Sequence, residues 1–334
     1  KGIGGRPAMG CVVDKLLGAR GQAPAFVDLN QGRPLVRNSA RPGFLGPAYR
    51  PFRPDISHLF KRELEEGMKG ELARLGKDHQ VSLKLLPGLK ASRLDDRIGL
   101  LRQFDGIRRH ADNTRMMDAL DRFNQQALGI LLSGKFGDAL DLEKEDPKVL
   151  ARYTPRHKEE GERFVTADGF NASRKLLLAR RLIEAGVRLV SIQFGGWDTH
   201  RDNFNRLKDN NLPNLDDGLA GLFRALDSKG LLNSTAVFVT GEFGRMPKIN
   251  QRGGRDHYPR AMFCKLAGGG MQGGQVVGAS DAKGEGPRDR VISPDDVAAT
   301  FYHALGVDHT KEYHTPTGRP VMIVRHGKLI QELV

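Results

Sequence analysis

Between residues 195 and 257 the chain gathers acids, imidazoles and guanidiniums of the kinds that hold metal ions and anions. "GGWDTHRDN" (195–203) sets Asp198, His200 and Asp202 at alternate positions. An extended segment turns alternate side chains to one face, so Asp198 and His200 can share a target. "GEFGR" (241–245) adds Glu242 and Arg245, and "GGRDHYPR" (253–260) adds Arg255, Asp256 and His257. Two imidazoles with two or three carboxylates suit Zn²⁺, Mn²⁺ or Fe, as one ion or a pair. Arg245 and Arg255 have the planar fork that clamps a phosphate or sulfate. Singly, each stretch also reads as an ordinary turn, a cap or a surface ion pair. Their joint placement beside apolar strands makes them a candidate site.

The flanking pattern explains how such residues could meet. "NASRKLLLARRLIEAG" predicts a helix capped by Asn171 or Ser173 and stopped at Gly186, and "VRLVSIQF" (187–194) a buried strand. "PNLDDGLAGLFRALDSKG" predicts a helix with Leu215, Leu219, Leu222, Phe223 and Leu226 on one face, ended by Gly230. "STAVFVT", "AMFCKLAG" and "RPVMIV" predict strands, and "SPDDVAATFYHALG" a helix with Ser293 as cap and Pro294 at its first position. Alternating helices and apolar strands point to an α/β fold with a mostly parallel, doubly wound sheet. Ligands of such sheets gather beyond the carboxyl ends of the strands, where "GGWDTHRDN" and "GEFGR" fall. "GGRDHYPR" precedes a strand and can fold back to meet them. Trp197 is expected to form a wall or core plug.

Upstream the pattern is less regular. Residues 1–90 are rich in Gly and Pro and read as a wrapping segment, with one short strand in "PAFVDL" and a loop over 41–55. Residues 91–165 read as a helical insertion: one helix near 92–105, a second over "RMMDALDRFNQQALGILLS", then an exposed helix–loop stretch. Residues 166–334 read as the core sheet region carrying the site.

Bulk composition narrows the classes. The 334 residues carry net charge +13, but Lys and Arg are interleaved with acids and aromatics make up only 7%, which disfavours nucleic acid as partner. No apolar run is long enough to span a bilayer. Two cysteines, Cys11 and Cys264, form neither a disulfide framework nor a CxxC ligand pair, and Cys264 reads as a small core residue. The chain opens with Lys1 on a loop running into a helix, so it is expected to begin inside a longer protein.

"RRLIEAGVRLVSIQFGGWDTHRDNF", "GEFGRMPKINQRGGRDHYP", "AGGGMQGGQVVGASD", "DDVAATFYHALGVD" and "GPAYRPF" together resemble the bacterial domain-of-unknown-function family 1501. That family is similar to sulfatases and the alkaline phosphatase superfamily. The resemblance implies a three-layer α/β/α sandwich with its N-terminal part absent here, a centre of one or two divalent metals (Zn, Mn, Ca or Mg), and a small anionic ester as substrate. It also implies export to the periplasm or beyond, frequently through a twin-arginine signal. Position by position, Asp198 and His200 match one ligand Asp with its nearby His. Glu242 matches the acid of the next pair and His257 the final His, with Asp202 and Asp256 as second choices. Phe243 stands where the pair's His belongs; alternatively Asp256 and His257 are themselves that pair. The strand acid and the nucleophile of the superfamily are expected outside this chain, since neither cysteine lies in a CxPxR setting. Two functions follow: a metal-dependent hydrolase of sulfate or phosphate esters, or a non-catalytic binding or scaffold relative with a degraded centre.

Overall fold

The computed structural model describes residues 5–30, 40–54, 56, 116–154, 172–315 and 318–334. The chain divides into two compact units, Lys1–Phe194 and Gly195–Val334. Both mix helix and strand, as an α/β reading requires. The helix expected near 92–105 lies outside the described residues, as do Asn171 and the stretch 155–165.

In the first unit, helix α1 (Met9–Leu17) packs Cys11 against Phe26 of strand β1 (Phe26–Asp28). β1 pairs in parallel with β2 (Leu189–Ser191), in the register Phe26↔Leu189 to Asp28↔Ser191. Helices α2 (Met116–Ser133), α3 (Lys135–Leu140) and α4 (Pro147–Arg152) follow, then α5 (Arg174–Glu184). α5 ends as expected at Gly186 (φ +98°): Val187 N–H donates to the Leu182 carbonyl and Gly186 N–H to that of Ile183. This is a Schellman turn, and buried Val187 and Leu182 supply its apolar contact. Ser173 starts α5 without capping it; its hydroxyl donates to the Tyr153 carbonyl instead. The expected strand over 187–194 is shorter and only half-buried.

A buried acid closes β1. Asp28 is wholly inaccessible, and its carboxylate accepts from Arg53 Nε at 2.7 Å and from Ser191 Oγ at 2.7 Å. The described part of the stretch expected to be exposed, 142–154, is mostly exposed and buries Leu142 and Tyr153, while Phe136, Ala139 and Leu140 before it are buried. Its charges are anchored from α5: Arg180 and Arg181 both donate to Glu145, and Arg181 also reaches the Ala139 and Asp141 carbonyls. Burial pushes the Glu145 carboxyl up, but the Arg181 and Arg180 guanidiniums outweigh it and leave it below its ordinary value. Its contribution is therefore present above the unfolded pKa and is lost as pH falls through the lower folded one. Glu145→Ala leaves Arg180, 4% exposed, with Glu184 as its remaining ion pair. It is expected to cost about 3 kcal/mol, read as a lower urea midpoint at unchanged slope.

The second unit opens with α6 (Asn203–Arg206), a single wider turn over Leu207–Asn211, and α7 (Leu212–Ser228). Leu219, Leu222 and Leu226 are buried along α7, as its periodicity predicts, and Gly230 (φ +66°) ends it. Helix α8 (Pro294–Ala304) has the expected start with a full capping box: Ser293 Oγ accepts from Asp296 N–H, and Asp296 accepts from Ser293 N–H. The strands form antiparallel pairs: β3 (Val237–Thr240) with β6 (Cys264–Ala267), β4 (Gly244–Arg245) with β5 (His257–Tyr258), β7 (Ala279–Ser280) with β8 (Pro287–Asp289), and β9 (Glu312–His314) with β10 (Pro320–Met322). Among the described residues the sheets are two-stranded; β1·β2 is the parallel pair, with a further parallel bridge between Val27 and Phe52. The reason for the β3·β6 direction is local. The connection over 241–263 carries a hairpin and no crossover helix, so the chain returns antiparallel.

Candidate metal centre

Two loops and one short hairpin of the second unit build the site. In the β4·β5 hairpin Arg245 lies directly opposite His257, which puts both side chains on one face. The loop over 198–203 is laced to the loop over 250–255 through the backbone. Asp202 N–H donates to Arg252, Asn203 N–H to Gly253 and Arg255 N–H to Thr199, at 2.9–3.1 Å. Asn250 locks the two together. Its Oδ1 accepts from Arg252 N–H and Gly254 N–H, and its Nδ2 donates to the His200 carbonyl at 3.1 Å and to Asp256 Oδ1 at 3.2 Å. Both lone pairs and both amide protons are thus used. Close approach here requires glycine: a Cβ on Gly254 would stand 2.0 Å from the His200 carbonyl carbon.

Asp198, His200 and His257 converge as a group able to hold a metal ion. His200 Nε2 lies 3.0 Å from Asp198 Oδ1 and 3.1 Å from His257 Nε2, and His257 Nε2 lies 2.8 Å from Asp198 Oδ1. These three atoms would hold a divalent ion, whose bonds to nitrogen and oxygen run about 2.0–2.2 Å. The open side faces solvent, since Asp198 is 67% exposed and the two imidazoles are 41% and 48% exposed. The rings tilt against each other with centroids 4.8 Å apart, and Phe243 packs against His257 at 4.5 Å.

Arg245 Nη2 donates to Asp198 Oδ1 at 2.7 Å, so a guanidinium stands beside the three ligand atoms. The His257 hydrogen bond first, and Arg245 second, hold the Asp198 carboxyl down at about 2. The Asp256 carboxyl is also held below its ordinary value, first by its hydrogen bond with His200.

The other sequence candidates have different places. Glu242 is exposed and lies outside the cluster. Asp202 starts α6 in a left-handed conformation (φ 48°) and accepts from Asn205 Nδ2 at 2.7 Å. Asp256 meets the far nitrogen of His200, Nδ1, at 2.6 Å. Arg255 donates to the Met246 and Arg245 carbonyls, and Arg245 returns a bond from Nη1 to the Arg255 carbonyl at 3.2 Å, so the two guanidiniums brace the hairpin together. Trp197 is half-buried, and its carbonyl accepts from Thr199 N–H. Asn250 and Gly254 were missed by composition alone. Their signal was positional: an Asn four residues before a Gly marks a tight turn that feeds its own amides to the side chain.

Among the described residues no helix is long and apolar enough to cross a membrane. Neither among curated proteins nor among solved structures does anything match the chain. A family model described as a protein of unknown function (DUF1501) matches residues 2–334. Spanning nearly every residue, that match makes the chain a member of the DUF1501 family.

Proposed function

We propose that the second unit binds one divalent cation on Asp198, His200 and His257 and uses it to hydrolyse sulfate or phosphate esters. The observation that carries this is the convergence of three ligand atoms within 3.1 Å of one another beside an arginine and open to solvent. Two imidazoles to one carboxylate favour Zn²⁺ or Mn²⁺ over Mg²⁺ or Ca²⁺, which take oxygen ligands. Charge explains the substrate class. Neutral rings and one carboxylate leave a divalent ion with net +1, and Arg245 adds a second positive charge, so an anionic ester oxygen is drawn to this face. When bound, the cation supplies Lewis acidity for the ester oxygen and makes water a better nucleophile near neutral pH. Thr199, the hydroxyl within the cluster's own loop, is buried and donates to Asn203, so it is not the nucleophile of this scheme. An alkaline phosphatase-like sandwich and export belong to the same proposal. Their support is the resemblance and, for the fold, the parallel β1·β2 pair.

The test is turnover of aryl sulfates and aryl phosphates by metal-loaded protein. Saturable hydrolysis that stops on chelation and disappears in His257→Ala is the expected outcome. Arg245→Ala is expected to lower kcat/KM for the anionic ester by about 100-fold, the effect of losing one oxyanion donor, while the metal stays bound. A loaded protein that turns over neither ester class favours the second function, a binding or scaffold relative. The observation on that side is Phe243, which packs against His257 where the resemblance would have a further imidazole.

A further inference from the structure

The two imidazoles of the centre are not held alike. His257 leans on Phe243 and has no carboxylate at its Nδ1 among the described residues. His200 has Asp256 Oδ1 at 2.6 Å from Nδ1 while its Nε2 faces Asp198 and His257. Asp256 is held in turn by Asn250 Nδ2 on the same oxygen, and its backbone carbonyl accepts from Met246 N–H at 2.8 Å in the hairpin. The same Asn250 amide holds the His200 carbonyl, so one side chain fixes both the carboxylate and the backbone of the ring it faces. From this the geometry points to Asp256 as the positioning residue of the centre, not a ligand. It receives the His200 Nδ1–H, holds that ring in the tautomer whose Nε2 lone pair is free, and aims that lone pair at the ion. Such partners orient the ring and raise its basicity as a donor. His200 is then the preorganised ligand on which the ion lands, and His257 the one that adjusts.

The inference rests on the metal proposal above, and two measurements separate them. In metal-free protein with ¹⁵N-labelled histidine, long-range ¹H–¹⁵N spectra read the tautomer of each ring directly. His200 is expected as Nδ1–H in the wild type, and as a mixture or as Nε2–H in Asp256→Ala. Zinc titration against a chromophoric chelator gives the second readout. Asp256→Asn keeps size and removes charge, at a half-exposed position where folding should survive, and is expected to weaken Zn²⁺ binding about 10- to 100-fold. Asp256→Glu is expected to recover part of that loss. Wild-type protein that binds no zinc overturns the metal proposal and this inference together. Wild-type protein that binds zinc, with Asp256→Asn binding equally tightly or His200 found as Nε2–H, overturns the inference alone.

Discussion

Asp198→Ala is expected to empty the metal centre. Metal analysis of the purified wild type should find one divalent ion per chain, and the variant should retain almost none. Asp198 is the sole carboxylate of the converging group, and it also neutralises Arg245, whose guanidinium is only 19% exposed. Without it a cation would meet two neutral rings and an unpaired positive charge. Structural zinc sites gain about 10–16 kcal/mol from four ligands, so one ligand carries roughly 3 kcal/mol, or about 100-fold in affinity. The nearby guanidinium adds to that loss. The acid side of the same experiment has a definite sign. With its carboxyl held down at about 2, first by the His257 hydrogen bond and then by Arg245, Asp198 stays charged and able to ligate through mild acidification. Loss of the metal through protonation of Asp198 is therefore expected only in strong acid. Equal metal content in wild type and variant would remove the centre from the account.

Gly254→Ala is the second large effect, and it replaces no ligand. The added Cβ would lie 2.0 Å from the His200 carbonyl carbon, 2.1 Å from its oxygen and 2.5 Å from Arg201 N. All three are backbone atoms, so no flexible side chain can yield. The loops must separate, and the bonds from Asn203 N–H to Gly253 and from Arg255 N–H to Thr199 must stretch with them. Overpacking of this kind costs about 3 kcal/mol at the upper end of the usual range. Spent on opening the centre, that is about 100-fold in metal affinity. Gly273→Ala, whose Cβ meets nothing within 4 Å, is the matched control and is expected to bind metal normally. Calorimetric titration of both variants with Zn²⁺ decides the matter: equal affinity would mean that the loop contact does not shape the site.

The ends of the helices were legible because their signals are local. Gly186 and Gly230 stop α5 and α7 since a left-handed residue is needed there and only glycine adopts it freely. Ser293, Pro294 and Asp296 start α8 within one turn of each other. The pairing of strands was less legible. An apolar run says that a strand is buried, but its partner and direction depend on the connection, and the hairpin between β3 and β6 is too short a signal to read from composition.

The same division runs through the site. Residue chemistry and spacing by themselves supplied the candidates: Asp198 and His200 two apart, Glu242, His257 beside Asp256, and Arg245 and Arg255 as cations. Only the tertiary structure decided their parts. The register Arg245↔His257 sends one imidazole to the cluster, while Arg255 is left to brace carbonyls. The Asn250 clamp turns Asp256 to the far side of the His200 ring, and Glu242 falls outside the group altogether. The physical reason is reach. A side chain's chemistry is written in its own position, but a metal centre needs atoms about 3 Å apart from segments some 50 residues distant in the chain. That distance is set by loop-to-loop hydrogen bonds, which no local pattern encodes.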